Sequence, residues 1–100
     1  MSYGIKIIPD AQTDVRETID WYNEQKDGLG RRFLQSLAAT VRILSENPKI
    51  FQVKYKNTRQ APVRGFPFLV HYLFEEKKQR IVILAVLHSS RDPQVWKKRG

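Results

Sequence analysis

The chain of 100 residues contains no cysteine, only two histidines and a single methionine. Without cysteine there is no disulfide framework, no thiolate nucleophile and no thiolate metal site. His71 and His88 do not form an HxxxH pair, so neither a metal nor a cofactor is expected. No run approaches the roughly 20 apolar residues of a membrane span. Met1-Ser2-Tyr3-Gly4 lacks the basic-then-apolar start of a signal peptide, which predicts a cytoplasmic protein with no membrane partner.

Acid is scarce too, but only in one half. Residues 51–100 carry Glu75, Glu76 and Asp92 against eleven Lys/Arg, whereas residues 1–50 balance seven of each. The whole net charge of +8 therefore lies in the second half. Clustered positive charge predicts a sheet rim that grips a polyanion or an acidic protein. A chain this short predicts one domain over 1–100.

Periodicity supplies the elements. Tyr3, Ile5 and Ile7 alternate with Gly4 and Lys6, predicting a strand with one buried face. Pro9 stops it, and Asp10 is the expected N-cap of a helix over Ala11 to Lys26 with Ala11, Val15, Ile19 and Tyr22 on its apolar stripe. Asp27-Gly28-Leu29-Gly30 reads as a tight turn, with Gly28 in the left-handed position that ends the helix. A second helix follows from about Arg31 to Ser45, ended by Asn47-Pro48. Two helices joined so closely predict an antiparallel hairpin.

The rest reads as β. Phe51 to Lys56 alternates as an exposed strand or extended loop, and Pro62 within Arg59 to Arg64 predicts an edge strand. Phe68 to Phe74 and Arg80 to Leu87 are apolar on both faces, as expected of covered central strands joined in a hairpin through a polar turn. Asp92-Pro93 opens a tail, Gln94 to Gly100, anchored by Trp96. The fold class is α+β in the order β-α-α-β-β-β, a helix hairpin on a mostly antiparallel sheet.

Candidate chemistry concentrates late in the chain. His88 ends the last strand, where a general acid or base would be rigidly held yet near solvent; the plainer role is a hydrogen bond to the following turn. Arg59, Arg64 and Arg91 form a second set, with Arg64 and Arg91 able to clamp a phosphate if neighbouring strands bring them to one edge. Solvated arginines are the commoner outcome. Lys54 and Lys56 suit a phosphate backbone or an ordinary polar face. Phe68, Tyr72, Phe74, Tyr22 and Phe33 fall at core spacing. Trp21 lies partly off its stripe, on a candidate protein-binding surface. Trp96 suits an anchor for the tail, with Lys97 and Lys98 behind it.

The ordered set Ala11-x-x-Asp14, Trp21-Tyr22, Gly28-Leu29-Gly30-x-x-Phe33, Asn47-Pro48, Phe51, Arg59, Arg64-Gly65-Phe66-Pro67-Phe68 and Ala85-Val86-x-His88-x-x-Arg91-x-Pro93-x-x-Trp96 spans nearly the whole chain. It resembles the ParE branch of the RelE/ParE toxin superfamily, whose members are often called plasmid stabilisation proteins. The resemblance implies a toxin of a type II toxin–antitoxin pair, a hetero-oligomer with a cognate antitoxin, and a helix hairpin on an antiparallel sheet. It also implies one of two targets: DNA gyrase, bound without enzymatic chemistry, or the ribosome and its mRNA, cut by an endoribonuclease. For the nuclease, Arg64, His88 and Arg91 are the residues at matching positions. Where nucleases often carry a terminal Tyr, this chain has Val95-Trp96, and that favours the non-enzymatic ParE-like reading. The surface for antitoxin or target is then expected among Trp21, Lys54, Lys56, Arg59, Arg64, Arg91, Trp96, Lys97 and Lys98.

Overall fold

A computed structural model describes residues 3–100. Strand β1 (Gly4–Ile7) leads into helix α1 (Pro9–Gln25) and helix α2 (Leu29–Glu46). Strands β2 (Val53–Tyr55), β3 (Thr58–Pro62), β4 (Phe68–Glu75) and β5 (Arg80–His88) follow, and a one-turn helix α3 (Gln94–Lys97) sits in the tail. The expected order and the helix hairpin are present with one strand more than the β-α-α-β-β-β count, because Val53–Tyr55, read as an exposed strand or an extended loop, pairs with the sheet as β2.

The two helices meet so closely because residue 30 is glycine. A Cβ there would sit 2.7 Å from the Ile19 carbonyl oxygen and 2.7 Å from Asn23 Oδ1, while the Gly30 N–H donates to that same Oδ1 at 2.9 Å. Gly28 does take the left-handed conformation, φ +87°, but as the N-cap of α2 rather than the stop of α1, which ends on Lys26. The start of α1 also differs from expectation. Pro9 occupies the first turn, where its missing N–H costs nothing, and Asp10 lies inside the helix instead of capping it.

The sheet order is β1-β5-β4-β3-β2. All pairings are antiparallel except β1 with β5, which is parallel; the sheet is therefore mixed. Two expectations change with this topology. β3 is not the edge, because β2 pairs outside it at Val53–Arg59 and Tyr55–Thr58; Pro62 lies beyond the reach of β2 and pairs only with Leu69. β1 has no fully buried face, since α1 packs over β5 and leaves Ile5 and Ile7 each 39% exposed.

The main core lies between the hairpin and one face of the sheet. Phe33, Leu37 and Leu44 of α2 and Ala11 and Tyr22 of α1 pack on Ala61, Val63, Val70, Tyr72, Ile81, Ile83 and Val86. The Tyr72 hydroxyl, buried with its ring, donates to the Pro48 carbonyl at 2.9 Å. The second apolar face of β4 and β5 is covered not by another long helix but by the tail. Ala85 and Leu87 pack there under Trp96, with Tyr55 and Val95 alongside. In β5 the register skips Leu84, which forms a bulge opposite the His71–Tyr72 step. Among the described residues no helix is long and apolar enough to cross a membrane.

Candidate functional site

Two surfaces carry the residues singled out by sequence. The first is the tail-covered face of the sheet. Trp96 stacks flat on His71, with ring centroids 4.5 Å apart and planes 18° from parallel, and meets Tyr55 edge-on at 5.8 Å. Trp96 is thus the tail anchor, only 6% exposed. Lys97 Nζ caps the Tyr55 ring at 4.5 Å from one direction and Lys56 Nζ approaches it at 5.5 Å, contacts typical of cation–π pairs. Lys54 stands exposed on β2 and Lys56 follows it in a turn with φ +51°.

His71 lies beneath this lid, 2% exposed, and its Nδ1 has no hydrogen-bond partner among the described residues. Desolvation first and the neighbouring Arg99 charge second push its pKa down to about 4. At neutral pH it is an uncharged ring that packs.

The tail then turns around the sheet where β1 has ended. Arg99 Nη1 donates to Asp14 Oδ2 at 2.6 Å and to the Leu84 carbonyl at 3.1 Å, and Nη2 to Asp14 Oδ1 at 3.3 Å. The same Oδ2 accepts the Val86 N–H at 3.0 Å. The last main-chain bond from this side is the Ile8 N–H to the Ile83 carbonyl at 3.2 Å; beyond it the carboxylate–guanidinium pair satisfies the Leu84 carbonyl and the Val86 N–H of β5.

The second surface is a cleft of about 160 Å³ between α1 and the end of β5. Asp14, Glu17 and Trp21 line one wall; Phe68, Val86, Leu87, His88 and Arg91 line the other. Trp21 is 55% exposed despite its size. His88 Nδ1 accepts the Ser90 N–H at 3.0 Å and lies 2.7 Å from the Ser90 hydroxyl. An Nδ1 that accepts a main-chain N–H is unprotonated, which leaves Nε2–H as the ring's donor.

Of the three arginines proposed as a set, only Arg91 shares a hollow with His88. Arg64 borders another, with Arg32, Gln35 and Ser36 of α2 and the Gly65-Phe66 turn. Arg59 reaches from β3 to the Phe51 carbonyl at 2.6 Å and ties the loop before β2 to the sheet. The expected single cationic rim is therefore divided. Lys56 and Lys97 flank the Tyr55 ring, Lys54 stands exposed on β2, Arg64 faces α2, Arg91 faces α1, and Arg99 is held in an ion pair. Lys98 follows α3 as its C-cap. Asp14, His71 and Arg99 had no assigned role in the sequence reading. In sequence Arg99 is one more cation beside Lys97 and Lys98, and no local signal marks its long-range partner.

Residues 5–93 match the family described as ParE toxin of the type II toxin–antitoxin system parDE. The chain belongs to the ParE toxin family. It is accordingly a toxin of a type II toxin–antitoxin system. No curated protein matches the sequence. Among solved structures, the ParE-family fold here is similar to the chromosomal ParDE system of P. aeruginosa, with TM-score 0.75, 15% identity, and coverage of 87% of this chain and 96% of that one. It is equally similar to a mutant of the E. coli toxin RelE in the free state, with TM-score 0.75 and 15% identity over 99% of this chain and 95% of that one. The toxin–antitoxin complex RelBE2 of Mycobacterium tuberculosis gives TM-score 0.67 and 20% identity over 88% of this chain and 99% of that one. At these identities the likeness concerns the fold.

Proposed function

We propose that this ParE-family chain arrests growth in the cytoplasm by binding DNA gyrase, and that a cognate antitoxin neutralises it within a hetero-oligomer. The observation that carries this reading is the separation of the nuclease candidates. His88 and Arg91 share one cleft, Arg64 lines another, and the stretch where nucleases often carry a terminal tyrosine holds Val95-Trp96, with Trp96 buried as a packing anchor. Acid–base cleavage of RNA needs its proton donor, acceptor and phosphate clamp around one scissile bond. A protein-binding toxin has no such requirement. The antitoxin partner is supported by the family and by relatives solved as toxin–antitoxin complexes.

Controlled expression in a bacterial host tests it. The expected outcome is growth arrest with induction of a DNA-damage reporter while messenger RNA stays full length. Cleavage of transcripts within translated codons, without the damage response, would instead establish the ribosome-dependent mRNA nuclease, for which the shared cleft of His88 and Arg91 is the supporting observation.

A further inference from the structure

The cleft beside α1 lies at an open sheet edge. β1 pairs with β5 only from Arg80 to Ile83, so the last five residues of β5 have a neighbouring strand, β4, on one side alone. The directions of the main-chain groups there follow from two hydrogen bonds. The Val86 N–H points away from β4, to Asp14, whereas the Ser89 N–H points towards β4's side, onto the Pro67 carbonyl at 2.8 Å. Because successive residues of a strand alternate, Val86 and His88 both turn their main chain outward. The Val86 N–H is already taken by Asp14; the Val86 carbonyl and the His88 N–H face the cleft. Trp21 and Phe68 give this cleft its apolar lining, and His88 and Arg91 line it as well.

We propose that this cleft docks an extended segment of a partner protein, which adds as a short strand beside Val86–His88. The segment would place a large apolar side chain between Trp21 and Phe68 and a carboxylate on Arg91. Three independent features specify that occupant. The edge offers one acceptor, the Val86 carbonyl, and two residues on one donor, the His88 N–H, a spacing that a single residue of an extended main chain matches; the His88 carbonyl is already held by the Arg91 N–H at 2.9 Å. A half-exposed Trp next to an Arg is the side-chain composition of a binding hot spot. Arg91, on a chain of net charge +8, selects an acidic group. Glu17 on the α1 wall restricts that acid to Arg91. Naming the partner as the antitoxin rests on the toxin reading; the docking chemistry does not.

A capped heptapeptide provides the probe, with Val, Leu, Val and Glu at odd positions and Ser or Thr at even ones. Two further versions carry N-methyl groups on the odd or on the even residues, so that each blocks one edge of the strand. Binding to the full chain is followed by Trp fluorescence and by amide chemical shifts. The expected result is binding with shifts at Val86 and His88, lost at least tenfold in one methylated version and retained in the other. Trp21→Ala and Arg91→Ala, both at exposed positions, each weaken it several-fold or more, and only the Arg91 contribution fades with salt. No binding by the parent peptide, or equal behaviour of the two methylated versions, overturns the proposal. So do shifts confined to the Lys54–Tyr55 surface, which would indicate unspecific charge attraction. Docking by a chain that does not arrest growth sinks the toxin reading and keeps the cleft. Growth arrest by a chain that binds no peptide does the reverse.

Discussion

Arg99 and Asp14 are 85 residues apart in sequence and 2.6 Å apart in space. Their ion pair caps the Leu84 carbonyl and the Val86 N–H of β5, just past the end of β1. With side chains only 16% and 9% exposed, it is shielded enough that removing one partner strands the other. Arg99→Met is therefore expected to destabilise the fold by about 2–4 kcal/mol, because an unpaired, mostly buried carboxylate remains. A double-mutant cycle with Asp14→Asn in urea should return a coupling of about 1–3 kcal/mol. Additive single mutants would mean the contact is incidental.

Acid should loosen the tail through His71. Its folded pKa, about 4, lies below the ordinary value of 6.5. The unfolded chain thus binds the extra proton first as pH falls. Stability from this group is complete above pH 6.5 and is lost progressively down to about pH 4, up to about 3 kcal/mol in all. Urea midpoints measured from pH 7 to 4.5 should fall in the parent chain and stay much flatter in His71→Phe. The carboxylates of Glu75 and Glu76, held low by Arg80 and Lys49, start to lose their stabilisation only as pH falls into the ordinary carboxylate range, at the bottom of that window.

The helix hairpin depends on the absence of a side chain at residue 30. Gly30→Ala would press a methyl group against the Ile19 carbonyl, a backbone atom that cannot rotate away. Overpacking of this kind costs about 1–3 kcal/mol. A lower thermal midpoint with unchanged β-sheet signal is the expected reading, whereas an unchanged or higher midpoint would show that α1 and α2 have slack between them.

What sequence made legible was local. The stripes of α1 and α2, the Gly28 turn and the polar connection between β4 and β5 each lie within a few residues of their cause. The partner of β1 was not, because four residues carry no mark of which strand they join; the parallel pairing is fixed by the crossover through the helices. Pro62 misled for a related reason: it does mark an unpaired N–H side, but of the stretch past the end of β2 rather than of a whole edge strand. At the site, Trp96 as an anchor and His88 bonded to its own turn followed from their neighbours in sequence. The cleft joining Trp21 to His88 and Arg91, the burial of His71 and the role of Arg99 depend on contacts across the sheet edge, which spacing cannot encode.

The target itself is tested most directly by supercoiling. Purified chain titrated against purified DNA gyrase, relaxed plasmid and ATP is predicted to stop supercoiling and to accumulate cleaved DNA. Preincubation with the cognate antitoxin should restore activity. Full supercoiling at saturating toxin, with no cleaved product, would contradict the account.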